Sequence, residues 1–311
     1  MMKNQITRKE FLKLSGAAAG AGIIASTGIG SLARAQSSDL LHRTIHATGE
    51  KIPAVGLGTA QTFGDLSQDF MMRRNTIETL FKEGGTVIDT APTYSDAEKV
   101  VGRALDELGA RDKCFLATKT SISGKQAGVD QNTGSFRDLK TDKFDLLQVH
   151  NHRDTEAHLD TINGLKADGK VRYVGLTHSR NRLNDAAVDI IEAGKIEFIQ
   201  CQYNMFDRSV EERLLPAARD NGVSVMINVP FGRGRVFQAT AGKEIPEWAA
   251  DFGVDTWGKF FLKYTLGHPD VTVIIPGTIH THHVVDNIGA LRGRLPTMAE
   301  RAKMVAFVED L

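Results

Sequence analysis

Thr86-Val87-Ile88-Asp89, Cys114-Phe115-Leu116-Ala117-Thr118-Lys119 and Asp145-Leu146-Leu147-Gln148-Val149-His150 are three short apolar runs, and each ends on a titratable side chain. The endpoints Asp89, Lys119 and His150 are 30 and 31 residues apart. A strand, a crossover helix and the next parallel strand take roughly 30 residues. The spacing therefore places the three side chains at the exits of three successive strands, at one end of one sheet. In a closed parallel barrel that end carries the active site. Tyr94 follows Asp89 by five residues on the same exit loop, so Asp, Tyr, Lys and His converge on one mouth.

The same rhythm extends in both directions. Candidate strands fall at 54–58, 86–89, 114–119, 145–150, 171–176, 197–201, 223–227 and 271–275. Between them apolar residues recur at helical spacing: Ile77, Leu80 and Phe81; Val101, Ala104, Leu105 and Leu108; Leu159, Ile162 and Leu165. Ser209-Val210-Glu211-Glu212 has the order of a capping box and predicts a helix start. Eight strands alternating with helices predict a (β/α)8 TIM barrel over residues 36–311, since such barrels take about 250 residues. Gly56-Leu57-Gly58 holds only two glycines of a dinucleotide-binding fingerprint, so a doubly wound open sheet is the weaker reading. Residues 121–134 and 231–242 read as loops, the first polar and the second glycine-rich. Phe63, Trp248 and Trp257 either line a substrate pocket or pack against helices.

Composition narrows the function. The chain has 311 residues, 41% of them apolar, and 38 basic against 38 acidic side chains. That balance lacks the basic surface a nucleic acid needs, so none is expected as a partner. Cys114 and Cys201 sit inside apolar runs and read as buried small hydrophobes rather than a disulfide or metal pair. Residues 1–35 read as an export signal instead of part of the fold. Lys3, Arg8, Lys9 and Lys13 form a basic head, residues 14–33 carry no charge, and Ala33-Arg34-Ala35 is a small-x-small cleavage pattern. The expectation is a periplasmic protein cleaved near Ala35 after transient contact with export machinery. A membrane anchor and a cytoplasmic location are the alternatives.

The four mouth residues suggest a reaction. A phenol is a weak acid with a pKa of about 10, and an ammonium a few ångströms away favours its ionised form. Lys119 lies on the strand next to Asp89, within the ~5 Å spacing of neighbouring strands. Asp89 supplies the countercharge that keeps a half-buried lysine protonated. His150 can donate a hydrogen bond to a substrate oxygen or relay a proton. The set is suited to giving a proton to an oxygen that gains negative charge. A carbonyl receiving a hydride fits, and that requires a nicotinamide.

Ile88-Asp89-Thr90-Ala91-Pro92-Thr93-Tyr94-Ser95-Asp96-Ala97-Glu98 followed by Val101-Gly102-Arg103-Ala104-Leu105 resembles the signature of the aldo/keto reductase family. Thr118-Lys119 and Leu147-Gln148-Val149-His150-Asn151 are similar to its next two motifs. The resemblance runs from about Pro53 to Ala290. It implies the TIM barrel, a catalytic tetrad of Asp89, Tyr94, Lys119 and His150, and Tyr94 as proton donor to a small-molecule carbonyl. It implies nicotinamide carboxamide contacts at Thr177, His178 and Gln200. The family's usual pair at the first place is Ser-Asn, so Thr177-His178 departs from it. An aromatic often stacks on the nicotinamide from the seventh strand; this chain has Asn228 there, with Phe231 three residues later. Phe231-Gly232-Arg233-Gly234-Arg235 resembles the family's cofactor-clasping segment. Its glycines allow close backbone approach to a pyrophosphate, and its arginines match the charge. At the adenosine end stand Gly277, Thr278, His283, Asp286 and Asn287. Gly277 and His283 occupy places where members preferring NADPH often carry lysine and arginine. NADPH is the expected cofactor, with NADH as the competitor. Thr7-Arg8-Lys9-Glu10-Phe11-Leu12-Lys13 resembles a twin-arginine export signal with lysine in place of the second arginine.

Two other readings compete. One is a nicotinamide-binding regulatory barrel with little turnover; the intact tetrad argues against it. The other is a metal-dependent barrel hydrolase, suggested by His150-x-His152 with His158, or by His280-x-His282-His283. No carboxylate or cysteine spacing completes either ligand set, and Lys119 would repel a metal, so no metal is expected. The sequence is silent on oligomeric state and on the physiological substrate.

Overall fold

The computed structural model describes residues 39–64 and 69–311. The expected export signal lies outside the described residues. An antiparallel hairpin comes first, β1 (His42–Thr44) with β2 (Lys51–Pro53). Eight strands follow, each parallel to the next in chain order: β3 (Leu57–Gly58), β4 (Val87–Asp89), β5 (Phe115–Thr120), β6 (Phe144–His150), β7 (Val171–Thr177), β8 (Phe198–Gln202), β9 (Ser224–Asn228) and β10 (Val273–Ile274). The ring closes at a seam between its first and last strands. Val55 and Gly58 form parallel bridges with Ile274 and Gly277. The Gly56 N–H donates to Ile274 O at 2.8 Å, and the Ile274 N–H donates to Ala54 O at 3.0 Å. The seam is held by single bridges rather than a long ladder, which shortens the first and last strands relative to the apolar runs.

Of the glycines that resemble half a dinucleotide fingerprint, Gly58 serves this closure and Gly56 the packing against β4. A Cβ on Gly56 would lie 2.6 Å from Val87 O, and one on Gly58 would lie 2.7 Å from Ile275 O. Backbone packed that closely excludes any side chain.

The helices are α1 (Phe70–Lys82), α2 (Ala97–Leu108), α3 (Lys125–Asp138), α4 (Thr155–Ala167), α5 (Asn184–Glu192), α6 (Leu214–Asp220), α7 (Arg235–Ala239), α8 (Trp257–Leu266), α9 (Thr281–Gly289) and α10 (Met298–Glu309). In α2 three of the four predicted stripe residues, Val101, Ala104 and Leu105, are buried together with Val100, while Leu108 is only half-buried. Each large aliphatic side chain so buried contributes roughly 1.5–3 kcal/mol. The helix stops at Gly109, whose φ of 55° is the left-handed cap that glycine supplies readily. Among the described residues no helix is long and apolar enough to cross a membrane.

Several elements differ from the sequence expectation. The polar stretch expected as a loop at 121–134 is largely α3. It buries Gly128, Asn132 and Ser135 rather than an apolar stripe. The Ser135 hydroxyl donates to Glu98 at 2.9 Å and the Thr120 hydroxyl donates to Asn132 Oδ1 at 2.8 Å, while Asn132 Nδ2 is buried without a partner. Ser209 does not cap an α-helix. Its hydroxyl donates to Asp207 at 2.9 Å, a 3-10 turn occupies Ser209–Glu211, and α6 starts at Leu214. The glycine-rich stretch at 231–242 contains a 3-10 turn (Gly232–Gly234) and α7. Phe63 is fully buried in the core. Trp248 packs against Phe252, Phe260 and Phe307.

The bottom of the barrel, at the strand N-termini, is plugged. Ile45 and Ile52 from the hairpin join Val87, Phe115, Leu146, Tyr173, Phe198, Met226 and Val273 in one interior cluster. Around it Asp145 accepts from the Leu116 N–H at 2.8 Å, from Arg172 at 2.8 Å and from Arg111 at 3.2 Å. Arg172 also pairs with Glu50, and the Tyr173 hydroxyl donates to Glu50 at 2.7 Å.

Candidate active site

At the opposite end β4, β5 and β6 deliver their last residues to the mouth. The register pairs Asp89 with Ala117, Lys119 with Gln148 and His150 with Thr177. Beyond β4 the chain turns tightly: the Tyr94 N–H donates to Ala91 O at 3.1 Å and the Ala97 N–H donates to Tyr94 O at 3.1 Å. This turn projects Tyr94 over the strand ends and starts α2.

The Lys119 ammonium is fully buried and donates to Asp89 Oδ1 at 2.6 Å and to Thr90 O at 2.7 Å. It sits 4.9 Å from the centroid of the Tyr94 ring. Gln148 donates to the other Asp89 oxygen at 3.2 Å. Burial works against the charge on Lys119, but attraction first to Asp89 and then to Tyr94 outweighs it. The lysine pKa is held above its ordinary value. Breaking such a pair by removing one partner costs about 3–5 kcal/mol, because a buried charge is left alone. His150 stands edge-on to Tyr94, with ring centroids 6.2 Å apart. Burial, then the charge of Lys119, lowers the His150 pKa to about 3, so the ring is neutral at pH 7.

Asp89, Tyr94 and His150 line a cavity of about 1240 Å³. Small-molecule pockets are usually about 300–1,000 Å³, so this one has room for a large ligand and a second molecule. Of the residues expected to bind cofactor, Thr177, His178, Gln200, Phe231, Arg233, Gly234, Gly277, Thr278, His283, Asp286 and Asn287 also line it, whereas Gly232 and Arg235 do not. Lys119 reaches the site from beneath, without exposed surface. The cavity wall includes further residues that the sequence reading did not single out for binding: Thr59, Ser179 and Thr256. Asp286 has a structural task as well: it accepts from the Thr256 hydroxyl at 2.9 Å, and Thr256 caps α8 through the Lys259 N–H.

Several polar atoms on this wall lack a partner. Both ring nitrogens of His178 and Oδ1 of Asn228 are buried without a hydrogen bond. The Gln200 amide is only partly used: Oε1 accepts from Thr177, while Nε2 has a methionine sulfur, Met226 Sδ, at 3.0 Å. Buried polar atoms without partners are costly. A carboxamide, which both donates and accepts, has the chemistry to satisfy them. The His178 pKa is lowered to about 4 by burial and then by His152. At the outer end His280, His282 and His283 pack with centroids 4.2–5.6 Å apart. The His283 pKa is lowered by burial and then by its two histidine neighbours.

Among the described residues no three His, Cys, Asp or Glu side chains are arranged to hold a metal. His152 turns toward the His178 ring at 5.4 Å, and His158 donates through Nε2 to Ile122 O at 2.6 Å, so the His150-x-His152 pattern does not converge. Cys114 and Cys201 are free and buried.

Comparison with known proteins agrees with this geometry. A family model described as the aldo/keto reductase family matches residues 54–302. The chain is 31% identical over 211 residues to aldo-keto reductase YhdN of Bacillus subtilis, a match covering 62% of each chain. It is 28% identical over 209 residues to an NADH-specific methylglyoxal reductase of Escherichia coli, covering 58% of this chain and 62% of that one. The chain thus spans 62% of the length of both curated relatives. An aldo-keto reductase from Klebsiella pneumoniae, crystallised in complex with NADPH, superposes with a TM-score of 0.74 at 27% identity. That match covers 86% of this chain and 96% of the other.

Proposed function

The chain belongs to the aldo/keto reductase family, and from that premise we propose that it reduces an aldehyde or ketone to the alcohol at the Asp89–Tyr94–Lys119–His150 mouth. One observation carries the reading: a fully buried ammonium, held by a carboxylate at 2.6 Å, lies beside a tyrosine on the wall of a large cavity. A nicotinamide held in the cavity would supply the hydride that the carbonyl carbon takes up. Tyr94 gives its hydroxyl proton to the carbonyl oxygen, which becomes the alcohol. The Lys119 ammonium stabilises the phenolate left behind, and Asp89 keeps Lys119 charged. His150, neutral, orients the carbonyl oxygen by a hydrogen bond.

His178, Gln200 and Thr177 hold the carboxamide; the partnerless nitrogens of His178 and the loosely used Gln200 amide support that assignment. Phe231, Arg233 and Gly234 of the clasp would cover the pyrophosphate, with Gly232 and Arg235 outside the cavity wall. Gly277, Thr278, His283, Asp286 and Asn287 hold the adenosine end. NADPH is the cofactor of this reading, with NADH competing, because an uncharged His283 grips a phosphate less firmly than an arginine does. The relatives include one NADPH complex and one NADH-specific reductase, which supports both cofactors as candidates. The basic head and cleavage pattern of residues 1–35 support export to the periplasm, and a twin-arginine-like route, which carries folded proteins, would let a preloaded cofactor travel along. Oxidation of NADPH and of NADH, followed by absorbance against a panel of aldehydes and ketones, tests the activity. No carbonyl-dependent oxidation with either cofactor ends the proposal.

A further inference from the structure

We propose that Ser121 is a positioning residue: its hydroxyl donates to His150 Nδ1 and so fixes the imidazole with its proton on Nε2, the nitrogen available to the substrate oxygen. The inference rests on the carbonyl-reducing reading of this site and adds to it the residue that sets its hydrogen-bond donor.

The Ser121 Oγ lies 2.7 Å from His150 Nδ1. A neutral imidazole carries one N–H and one acceptor nitrogen, and the hydrogen bond at one nitrogen decides the state of the other. His150 is held neutral by burial and by Lys119. If Nδ1 carried the proton, the Ser121 O–H would need an acceptor elsewhere. Among the described residues it has none, and Ser121 is only 8% exposed. Donation from Ser121 to Nδ1 satisfies both groups. It leaves an N–H on Nε2, on a ring that lines the cavity.

The loop carrying Ser121 is built to hold this geometry. Ser121 follows β5 directly, two residues after Lys119, so the same strand places both groups. The Ser121 N–H donates to Gln131 Oε1 of α3 at 2.6 Å. The next residue's carbonyl, Ile122 O, accepts from His158 Nε2 of α4 at 2.6 Å. The Gly124 N–H donates to Asp154 at 2.7 Å. His158 and Asp154 belong to the segment that follows His150. Two hydrogen bonds therefore latch the loop after β5 to the segment after β6, and fix the serine relative to the histidine. His158 also explains a glycine: a Cβ on Gly128 would lie 2.5 Å from its ring.

The test is long-range proton–nitrogen NMR on the full chain labelled with ¹⁵N-histidine, with the His150 signals identified by their loss in His150→Gln. Wild-type His150 should show the Nε2–H tautomer. Ser121→Ala should mix the two tautomers and lower kcat about three- to tenfold, the worth of one net hydrogen bond, with KM for the cofactor unmoved. Ser121→Thr, which keeps the hydroxyl, should restore both tautomer and rate. If Ser121→Ala does not fold, Ser121→Cys keeps the shape with a weak donor and carries the same expectation. An Nδ1–H tautomer in the wild type, or an unaltered tautomer in the variants, overturns the proposal. A wild type that reduces no carbonyl, yet loses its Nε2–H preference in Ser121→Ala, removes the reductase reading while the positioning stands.

Discussion

The two ends of this barrel are made from the same strands and obey different rules. At the bottom the turns from helix to strand use glycine where the backbone goes left-handed: Gly84, Gly109, Gly169, Gly194 and Gly222 all have positive φ, with Lys140 the non-glycine exception. At the mouth the left-handed positions include Gln61, Ser95, Asn151, His152, Val229 and Arg233. A non-glycine residue there costs about 1–2 kcal/mol, and a β-branched one such as Val229 is a genuine outlier. Polar groups lean the same way, with Arg43 Nε of the bottom hairpin, buried without a partner, as the exception. The bottom network of Asp145, Arg111, Arg172 and Glu50 is paired. The mouth leaves His178, Asn228 and Gln148 atoms without partners. One end is built for stability; the other holds backbone strain and open hydrogen-bonding capacity where ligands arrive.

The largest test of that division is at Tyr94. Tyr94→Phe should reduce carbonyl turnover by about 10²–10⁴-fold while nicotinamide binding, read by fluorescence, persists and the denaturation midpoint stays in place. A variant that turns over at the wild-type rate removes Tyr94 as the donor. The mirror experiment is at the bottom. Asp145→Ala strips acceptors from a backbone N–H and two arginines and should cost about 2–4 kcal/mol of unfolding free energy, with kcat per folded molecule unchanged. A fall in kcat with stability intact would erase the distinction between the ends.

Acid should weaken the mouth first. His150 and His178 have folded pKa values lowered to about 3 and about 4, against an ordinary 6.5. The unfolded chain takes up protons that the folded chain refuses. The stability from keeping these rings neutral is therefore complete above about pH 6.5 and is lost as pH falls, at up to about 1.4 kcal/mol per pH unit for each ring. The His178 share ends near pH 4. Denaturant titrations between pH 7 and 5 should show a shallower slope in His178→Gln; identical slopes would dismiss the effect. The smallest expected change is at the outer rim. Gly277→Lys with His283→Arg should shift preference toward NADPH over NADH by about tenfold, the worth of one charge-assisted hydrogen bond of roughly 1.5 kcal/mol. Unchanged relative binding would place the phosphate elsewhere.

What the sequence disclosed follows from which physical signals are local. Apolar runs with a constant interval are local, so all eight barrel strands and the shared phase of Asp89, Lys119 and His150 could be read directly. The helix at α3 was hidden because it buries serine, asparagine and glycine, and its partners Glu98 and Thr120 are supplied by other elements. The capping order at Ser209 misled because Asp207, two residues before, competes for the same hydroxyl. The hairpin of β1 and β2 is too short to show a period. The Ser121–His150 contact could not be found from spacing, since it depends on a latch between two loops. The His178 nitrogens also looked ordinary until burial and the lack of partners were visible together.

The glycine seam sets an order of events for the growing chain. Asp89, Lys119 and His150 are borne on three adjoining strands whose pairing with one another involves only nearby segments. The half that meets the adenosine end needs Ile274 and Gly277 to find Val55 and Gly58, more than 200 residues earlier. Contacts so distant along the chain form slowly. A polypeptide halted before that stitch would carry the four mouth side chains without the surface proposed to retain a cofactor.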